Sequence, residues 1–421
     1  MEMCIEIKRD IYLKRLIRKR KNGLVKIVTD ARRSGKSYLL FKLFHDYLLR
    51  SGVPKDHIIE LAFDDRSNKA LRDPDVALNF LKNKIRDESD YYVILDEIQY
   101  LEEFEDVLNS LLHIRNVDVY VTGNNSKFLS TDVITEFRGR GDEIRVYPLC
   151  FREYVSESSG SLDAAWDDYL VYGGLPLILS LEDPEDKANY LATLFRKVYI
   201  SDIVERHNVK NRAELDELVD VLASAVGSYT NNTKIVKTSK SVKNKVISDK
   251  TIKKYIDYLV DAFVISSVKR FDVKGRKYIG VLSKYYFEDV GLRNARLGVR
   301  QTEPTCLMEN VVYNELRVRG YNVDVGVIDV SESDKNGKRE TKRLEVDFVA
   351  TLGSEKVYVQ SAYSTPTFEK MNQEQRGLVK IPDSFRKIIV VGENIKARRD
   401  EDGVITIGLR NFLFDENSLR L

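Results

Sequence analysis

Residues 24–38 read LVKIVTDARRSGKSY, and the fold follows from how this stretch is parsed. Leu24–Thr29 is a β-rich apolar run, and SYLLFKLFHDYLLR, from Ser37 to Arg50, repeats apolar residues at the three- and four-residue spacing of a helix. Between them stands DARRSGKS, at the strand-to-helix turn that a phosphate-binding loop requires. A helix start offers N–H groups without intrahelical partners and the positive end of a dipole. The amides of Arg33, Ser34, Gly35 and Lys36, continuing through Ser37 and Tyr38, are therefore placed to face phosphate. Lys36 adds positive charge at the β and γ phosphates of ATP, and the Ser37 hydroxyl is a ligand for Mg²⁺. One position departs from GxxxxGK[ST]: Asp30 stands at the first glycine, where a carboxylate near phosphate oxygens weakens binding by repulsion.

A second element supports the first. Tyr91–Leu95 is an apolar strand ending in Asp96 and Glu97, a Walker B pattern in which Asp96 holds Mg²⁺ and Glu97 activates the attacking water. The next strand, VDVYVT, ends in Gly123 and Asn124, and a polar side chain at that tip is either a γ-phosphate sensor or an ordinary turn residue. EFRGRGDE then supplies Arg138 and Arg140, either arginine fingers for a neighbouring copy's nucleotide in a homo-oligomer or surface charge.

Working outward, strands are expected at Ile58–Phe63, Tyr92–Leu95, Val117–Thr122 and Glu143–Val146, with helices at Ser37–Arg50, Val76–Asp87 and Glu103–Ile114. That alternation describes a doubly wound parallel α/β sheet of the P-loop NTPase kind. After Pro148 the pattern turns helical, at Phe151–Ser156, Leu162–Val171, Pro184–Tyr199 and Arg212–Val226, interrupted at Tyr172–Pro176 by a Gly-Gly turn. A further α/β region follows from about Leu307, with strands at Tyr321–Val327, Arg343–Ala350 and Lys356–Gln360 and an exposed polar hairpin loop at Ser331–Lys342. The expected division is 1–148, 149–295 and 296–421, consistent with ~100–200 residues per domain in a chain of 421.

Composition excludes more than it assigns. With 43% apolar and 32% charged residues and only 8 prolines, the chain is neither disordered nor fibrous. Lysine plus arginine (68) balances aspartate plus glutamate (66), so only local charge is informative. Cys4, Cys150 and Cys306 lack the spacing of a disulfide framework or zinc site, and no run reaches the ~18–20 apolar residues of a membrane span. A cytoplasmic protein with no membrane span is expected. Ile11–Arg20 reads as a basic amphipathic helix, either solvated or touching anionic lipid or nucleic acid.

Taken together, ARRSGKSYLL, VILDEIQ, VTGNNSKFL, FRGRGDEIRVYPLCFREY and YGGLP resemble a prokaryotic family of AAA-type ATP-binding proteins. The resemblance continues through KTIKKYIDYLVDAFVISSVKRFDVKGRKYI, KYYFEDVGLRNA, ENVVYNEL and EVDFVA, and so covers essentially the whole chain. It implies an ATPase core like the origin-recognition branch and a C-terminal restriction-endonuclease-like fold, intact or degenerate. The family usually has glycine at the place of Asp30 and serine at that of Asn124, and the resemblance implies no established substrate.

Residues 233–277 hold the chain's basic block. A helix near Ser239–Val246, a second from Lys250 to Ala262 and strands Val264–Phe271 and Lys277–Val281 suit a winged helix. Lys250, Thr251, Lys253 and Lys254 would meet a DNA groove while Lys274 and Arg276 touch adjacent backbone; the alternative is a packing module with solvated lysines. In the C-terminal region, Glu309 and Glu315 on a helix and Asp347 on a strand match a nuclease metal site in part. Gln360 and Ala362 stand where an acid and a lysine belong, so the site reads as degenerate and nuclease activity is not expected. Of the strand acids, Asp347 is taken as the remnant ligand, with Glu345 assigned to the opposite face. The combined expectation is an ATP- and Mg²⁺-dependent ATPase acting on DNA. Its alternatives are a nucleotide switch or protein-interaction scaffold with little hydrolysis, and an ATP-regulated nuclease.

Overall fold

The computed structural model describes residues 6–123, 139–230, 247–300, 303–333, 339–364 and 367–421. They form two compact units, one of residues 1–149, 175–180 and 261–263, the other of 150–174, 181–260 and 264–421.

In the first unit, α1 (Asp10–Arg18) precedes β1 (Val25–Asp30). The helix α2, residues 36–50, runs as Lys36–Tyr38, a π-helical stretch Leu39–Phe44 and His45–Arg50. Then come β2 (Ile58–Ala62), α3 (Pro74–Lys84), β3 (Tyr91–Asp96), α4 (Phe104–Leu112), β4 (Val117–Thr122) and β5 (Gly141–Val146). The five strands are parallel in the order β2-β3-β4-β1-β5. Their period-two alternation splits the core. Val25, Ile27, Val93, Leu95, Val119 and Val121 pack with Leu81 of α3 and Leu108 of α4. Tyr92 and Tyr120 on the other face meet Phe44 of α2, with ring centroids 6.5 and 4.6 Å away. Helices thus cover both faces, the doubly wound arrangement the sequence predicts.

Local chemistry fixes the ends of these elements. Asp73 caps α3 by accepting from the N–H groups of Asp75 and Val76 at 3.0 Å, with Pro74 at the first helical position. Lys26, fully buried on β1, ion-pairs with Asp118 on β4, which also accepts from Tyr120 Oη at 2.8 Å. The apolar residues Tyr12 and Leu16 of α1 are completely buried, so that helix spends its apolar face inside the unit.

The second unit begins with α5 (Phe151–Glu157), α6 (Leu162–Tyr172) and α7 (Pro184–Leu194), the last continuing through a π-helical stretch Phe195–Ile200 into Ser201–Arg206. After α8 (Arg212–Ser224) and α9 (Asp249–Asp261) come β6 (Ile265–Asp272), β7 (Lys277–Phe287), α10 (Val290–Arg296) and α11 (Pro304–Val318). The chain ends with β8 (Asn322–Ser333), β9 (Arg339–Leu352), β10 (Glu355–Ala362), α12 (Phe368–Val379), β11 (Arg386–Val391), β12 (Arg398–Arg399), β13 (Val404–Gly408) and α13 (Leu409–Phe414). One mixed sheet of eight strands runs β12-β13-β11-β10-β9-β8-β6-β7.

Two expectations change here. The hairpin β6–β7 is no free wing: β6 pairs in parallel with β8, Arg270 opposite Val325, so the two strands edge the C-terminal sheet and a boundary at residue 295 falls inside one unit. Much of the polar stretch 331–342 is ladder rather than loop, with Ser331 opposite Thr341 and Ser333 opposite Arg339, because hairpin arms keep pairing beyond the core.

The Gly-Gly turn after α6 has a physical partner. Asp289 caps α10 by accepting from Leu292 N at 3.0 Å and reaches back to Gly174 N at 2.7 Å. A Cβ on Gly173, whose φ is 75°, would lie 2.2 Å from Asp289 Oδ1, and one on Gly291 would lie 2.0 Å from the Tyr172 carbonyl oxygen. Asn294 completes the lock by donating to the carbonyls of Leu170 and Val171 at 2.8 and 2.9 Å.

Candidate functional site

Parallel pairing brings the carboxyl ends of β1, β4 and β3 to one edge of the first sheet, with Val28 opposite Thr122 and Leu95 opposite Val121. Asp30, Thr122 and Asp96 therefore end adjacent strands. The Walker B strand is not the neighbour of β1, since β4 lies between them and supplies a residue that joins the acids. Thr122 Oγ1 donates to Asp96 Oδ1 and accepts from Glu97 N at 3.0 Å.

The loop from β1 to α2 is built for a close approach. Gly35 has φ 96°, a left-handed conformation natural to glycine, and Arg33 shares that region at φ 72°. Pro176 of the same unit has its Cγ 3.9 Å from where a Gly35 Cβ would lie. Ser34 is fully buried, its hydroxyl donating to Ala31 O at 2.8 Å, and Leu39 N already closes on Gly35 O at 2.9 Å. Arg9, just before α1, threads beneath, its guanidinium donating to Ser34 O at 2.9 Å and Tyr147 O at 2.5 Å.

Of the side chains singled out from sequence, Lys36, Ser37, Asp96 and Glu97 converge at this edge. Ser37 Oγ donates to Asp96 Oδ2 at 2.8 Å. Lys36 Nζ is ion-paired with Asp30, the two side chains only 4% and 1% exposed. Burial pushes the Asp30 carboxyl up to about 6 even with Lys36 beside it. Burial likewise raises Glu97, against the hydrogen bond from Gln99. Arg33 and Ser37 are exposed, while Tyr38 and Gly35 are half-buried.

The donor set fits Mg-ATP: a helix start at the loop, a lysine, and a hydroxyl hydrogen-bonded to a carboxylate. Residues Lys36, Ser37 and Asp96 would hold it. Arg140 stands elsewhere. It precedes β5, where its carbonyl accepts from Val25 N at 2.9 Å and its side chain reaches Asn109, at the amino-terminal edge of the sheet. Six residues of β1 separate that edge from Asp30, on the order of 16–20 Å. Asn124 and Arg138 lie outside the described residues.

The profile of a family described as an AAA domain matches residues 22–155, which span this sheet and its loop. An uncharacterized protein of Haemophilus influenzae is 32% identical over 413 residues, covering 97% of this chain and 98% of that one. A second, from Methanocaldococcus jannaschii, is 27% identical over 373 residues, 85% of this chain and 77% of that one. The chain belongs to this AAA-domain family. A profile described only as a domain of unknown function matches residues 163–303. Among solved structures, Cdc6p of Pyrobaculum aerophilum aligns at TM-score 0.31 and 13% identity over 74% of this chain and 97% of its own. The Aeropyrum pernix ORC1 protein in complex with DNA aligns at TM-score 0.28 and 13% identity, over 70% and 93%. Likenesses this loose do not bear on what the chain binds.

Beyond the AAA core, the residues expected to be a nuclease relic are only partly together. Lys284 on β7 is buried and lies among Glu309 (2.9 Å), Glu345 (2.6 Å) and Asp347 (3.5 Å), with Tyr286 Oη donating to Glu309 at 2.6 Å. Burial opposes the Lys284 charge, but the carboxylates of Asp347, Glu309 and Glu345 hold its pKa above the ordinary lysine value. Burial, with Glu309 adding to it, raises the Asp347 carboxyl well above the usual range. Glu345 and Asp347 share a face, contrary to expectation, because residues two apart on a strand point the same way. Glu315 is absent from the cluster. Six residues beyond Glu309 it lies about 120° around α11, where it pairs with Arg319 at 2.7 Å. Gln360 accepts from Asp347 N at 3.2 Å and donates to Glu374 at 3.1 Å, a neutral link. Among the described residues no group of three or more His, Cys, Asp or Glu is arranged to hold a metal ion, and the lysine ammonium takes the centre of this one.

The basic block is described in part. Lys250, Lys253 and Lys254 are exposed on α9, whose buried residues are Ile252, Tyr255, Ile256 and Leu259. Thr251 is committed to the helix start, its N–H and hydroxyl both meeting Ser248 Oγ, at 3.1 and 2.8 Å. Lys274 and Arg276 are exposed in the β6–β7 turn, where Lys274 Nζ donates to Asp329 O at 3.2 Å. The expected helix at 239–246 lies outside the described residues. No helix among the described residues is long and apolar enough to cross a membrane.

Sequence reading missed Thr122, Arg9 and Lys284. Thr122 was legible as the polar end of an apolar strand two residues before Asn124. Lys284, a lysine inside the run VLSKYYF, carried the signal of a buried charge, whereas Arg9 precedes a basic helix and carried none.

Proposed function

We propose that this chain binds ATP with Mg²⁺ at the β1–α2 turn and hydrolyses it to drive conformational or assembly changes on DNA. The supporting observation is the 2.8 Å hydrogen bond from Ser37 Oγ to Asp96 Oδ2. A loop hydroxyl and a strand carboxylate distant in sequence stand side by side, as ligation of one nucleotide-bound cation requires. When bound, Mg²⁺ supplies charge neutralisation at the phosphates. Lys36 binds phosphate oxygens, and Thr122 fixes the acids. Glu97, whose carboxylate burial makes a stronger base, takes a proton from the attacking water. In an oligomer, Arg140 would serve a neighbouring copy's nucleotide, since its own lies at the other end of the strands.

Phosphate release measured for the wild type, Lys36→Ala and Glu97→Gln tests the reading. Lys36→Ala is expected to lose nucleotide binding, and Glu97→Gln to keep binding and lose turnover. Equal rates in all three would remove the hydrolytic claim. The DNA part rests on the exposed lysines of α9, which suit phosphate contacts rather than base reading. Fluorescence anisotropy with duplex DNA at low salt tests it, and absence of binding overturns it.

A further inference from the structure

We infer that Asp30 is an internal competitor for nucleotide: its carboxylate holds the Lys36 ammonium in the nucleotide-free loop, and binding must exchange that ion pair for one with phosphate. The inference rests on the nucleotide-site reading above and adds its regulation.

The geometry sets Asp30 and phosphate in competition for Lys36. Asp30 ends β1 at the loop's first position and Lys36 opens α2, so the carboxylate reaches across the loop to the group meant for phosphate. Both side chains are almost wholly buried, and neither charge is tolerated there without a counter-charge. A phosphate that takes Lys36 therefore strands Asp30.

What else faces Asp30 decides the outcome. Arg9 contributes positive charge, but its guanidinium is committed to the carbonyls of Ser34 and Tyr147. Glu97, after β3, carries the same sign and adds to the burden. On the β5 side Asp30 is opposite Val146, which offers no charge. The remaining way to neutralise the carboxylate is a proton from solvent. Burial already places Asp30 at about 6 with the lysine in contact, and withdrawal of that lysine moves it higher. Nucleotide binding near neutral pH thus takes up a proton onto Asp30, and dissociation returns it. Affinity rises as pH falls from about 8 toward 6.

The test is isothermal titration of the full chain with Mg²⁺ and a non-hydrolysable ATP analogue, in buffers of different ionisation enthalpy, for the wild type, Asp30→Asn, Asp30→Gly and Lys36→Ala. Asp30→Asn and Asp30→Gly are expected to bind about tenfold or more tightly than the wild type, because the competing charge is gone. The wild type should take up protons at pH 7.5, and the two Asp30 variants should not. Wild-type binding without proton uptake overturns the inference whether or not the variants fold. Folded Asp30 variants that bind no more tightly than the wild type also overturn it while leaving the nucleotide site intact. If neither the wild type nor any variant binds, the nucleotide-site reading fails and the inference with it.

Discussion

The backbone N–H of Glu97 donates to Thr122 Oγ1 over 3.0 Å. Glu97 needs that tether, since it sits at φ 52°, ψ 47°, a conformation uncommon for residues other than glycine, asparagine and aspartate. The same hydroxyl holds Asp96, so one threonine sets the positions of both acids. Thr122→Val keeps the shape and removes the hydroxyl. It is expected to lower kcat for ATP about 10–100-fold with a smaller change in KM, because misplacement of a reacting group by an ångström costs that much. Thr122→Ser should restore most of the rate. Steady-state phosphate release decides it, and an unchanged kcat in Thr122→Val removes this residue from the machinery.

The pairing of Asp30 with Lys36 also makes a stability prediction independent of nucleotide. Lys36→Ala leaves a buried carboxylate without its lysine and should destabilise the folded chain by about 3 kcal/mol at pH 8. The double variant Asp30→Ala with Lys36→Ala should recover much of that loss. The folded-state value of Asp30, about 6, lies above an unfolded value of roughly 3.9, so folding favours its protonated form. Its contribution is present at low pH and lost as pH rises through that window. The Lys36→Ala deficit is therefore expected to shrink below pH 6. Urea denaturation at pH 5.5 and 8 measures this, and additive single-variant effects would mean the pair is not formed.

How far the chain could be read in advance follows from where each signal resides. Three strands of the first sheet, β1, β3 and β4, announced themselves because each is a short, mostly apolar run ended by a polar residue, as in Tyr91–Asp96, and burial on both faces leaves little ambiguity. The cluster around Lys284 was hidden for a different reason. Lys284, Glu309 and Asp347 come from three elements, and only the unforeseen pairing of β6 with β8 brings β7 into reach of β9. Spacing along one strand shows where an acid stands but not which lysine another strand delivers. Asp30 is intermediate: its departure from the loop pattern was visible, while its ion pair with Lys36 depends on burial that no local pattern encodes.

The lysines of α9 should act on nucleic acid as point charges. Their face of the helix is exposed while the opposite face is buried, which leaves Lys250, Lys253 and Lys254 available to phosphates. Replacing the three with alanine is expected to weaken duplex binding without regard to sequence. It should also flatten the plot of log K against log salt by about 0.9 for each phosphate no longer neutralised. Changing Lys274 and Arg276 as well should flatten it further. An unaltered slope in the triple variant would mean that these lysines are only solvated.

Lys284 offers the clearest test of whether the carboxylate cluster is structural. Its ammonium is the positive charge that Glu309, Glu345 and Asp347 all meet, so Lys284→Met exchanges it for an apolar chain of similar length and leaves the buried Asp347 facing the half-buried Glu309 and Glu345. The variant should lose about 3–5 kcal/mol at pH 8. The sign with pH follows from Asp347, whose carboxyl burial raises above its unfolded value. A group shifted in that direction contributes stability at low pH and loses it as pH rises through its folded value, and losing the lysine raises that value further. The gap between Lys284→Met and the wild type should accordingly widen above the folded value of Asp347, about 8, and narrow as pH falls through it. Thermal melts across about pH 6–9.5 measure it. A gap independent of pH would show that Lys284 contributes packing alone, and a more stable variant would show that desolvation of the ammonium outweighs its three ion pairs.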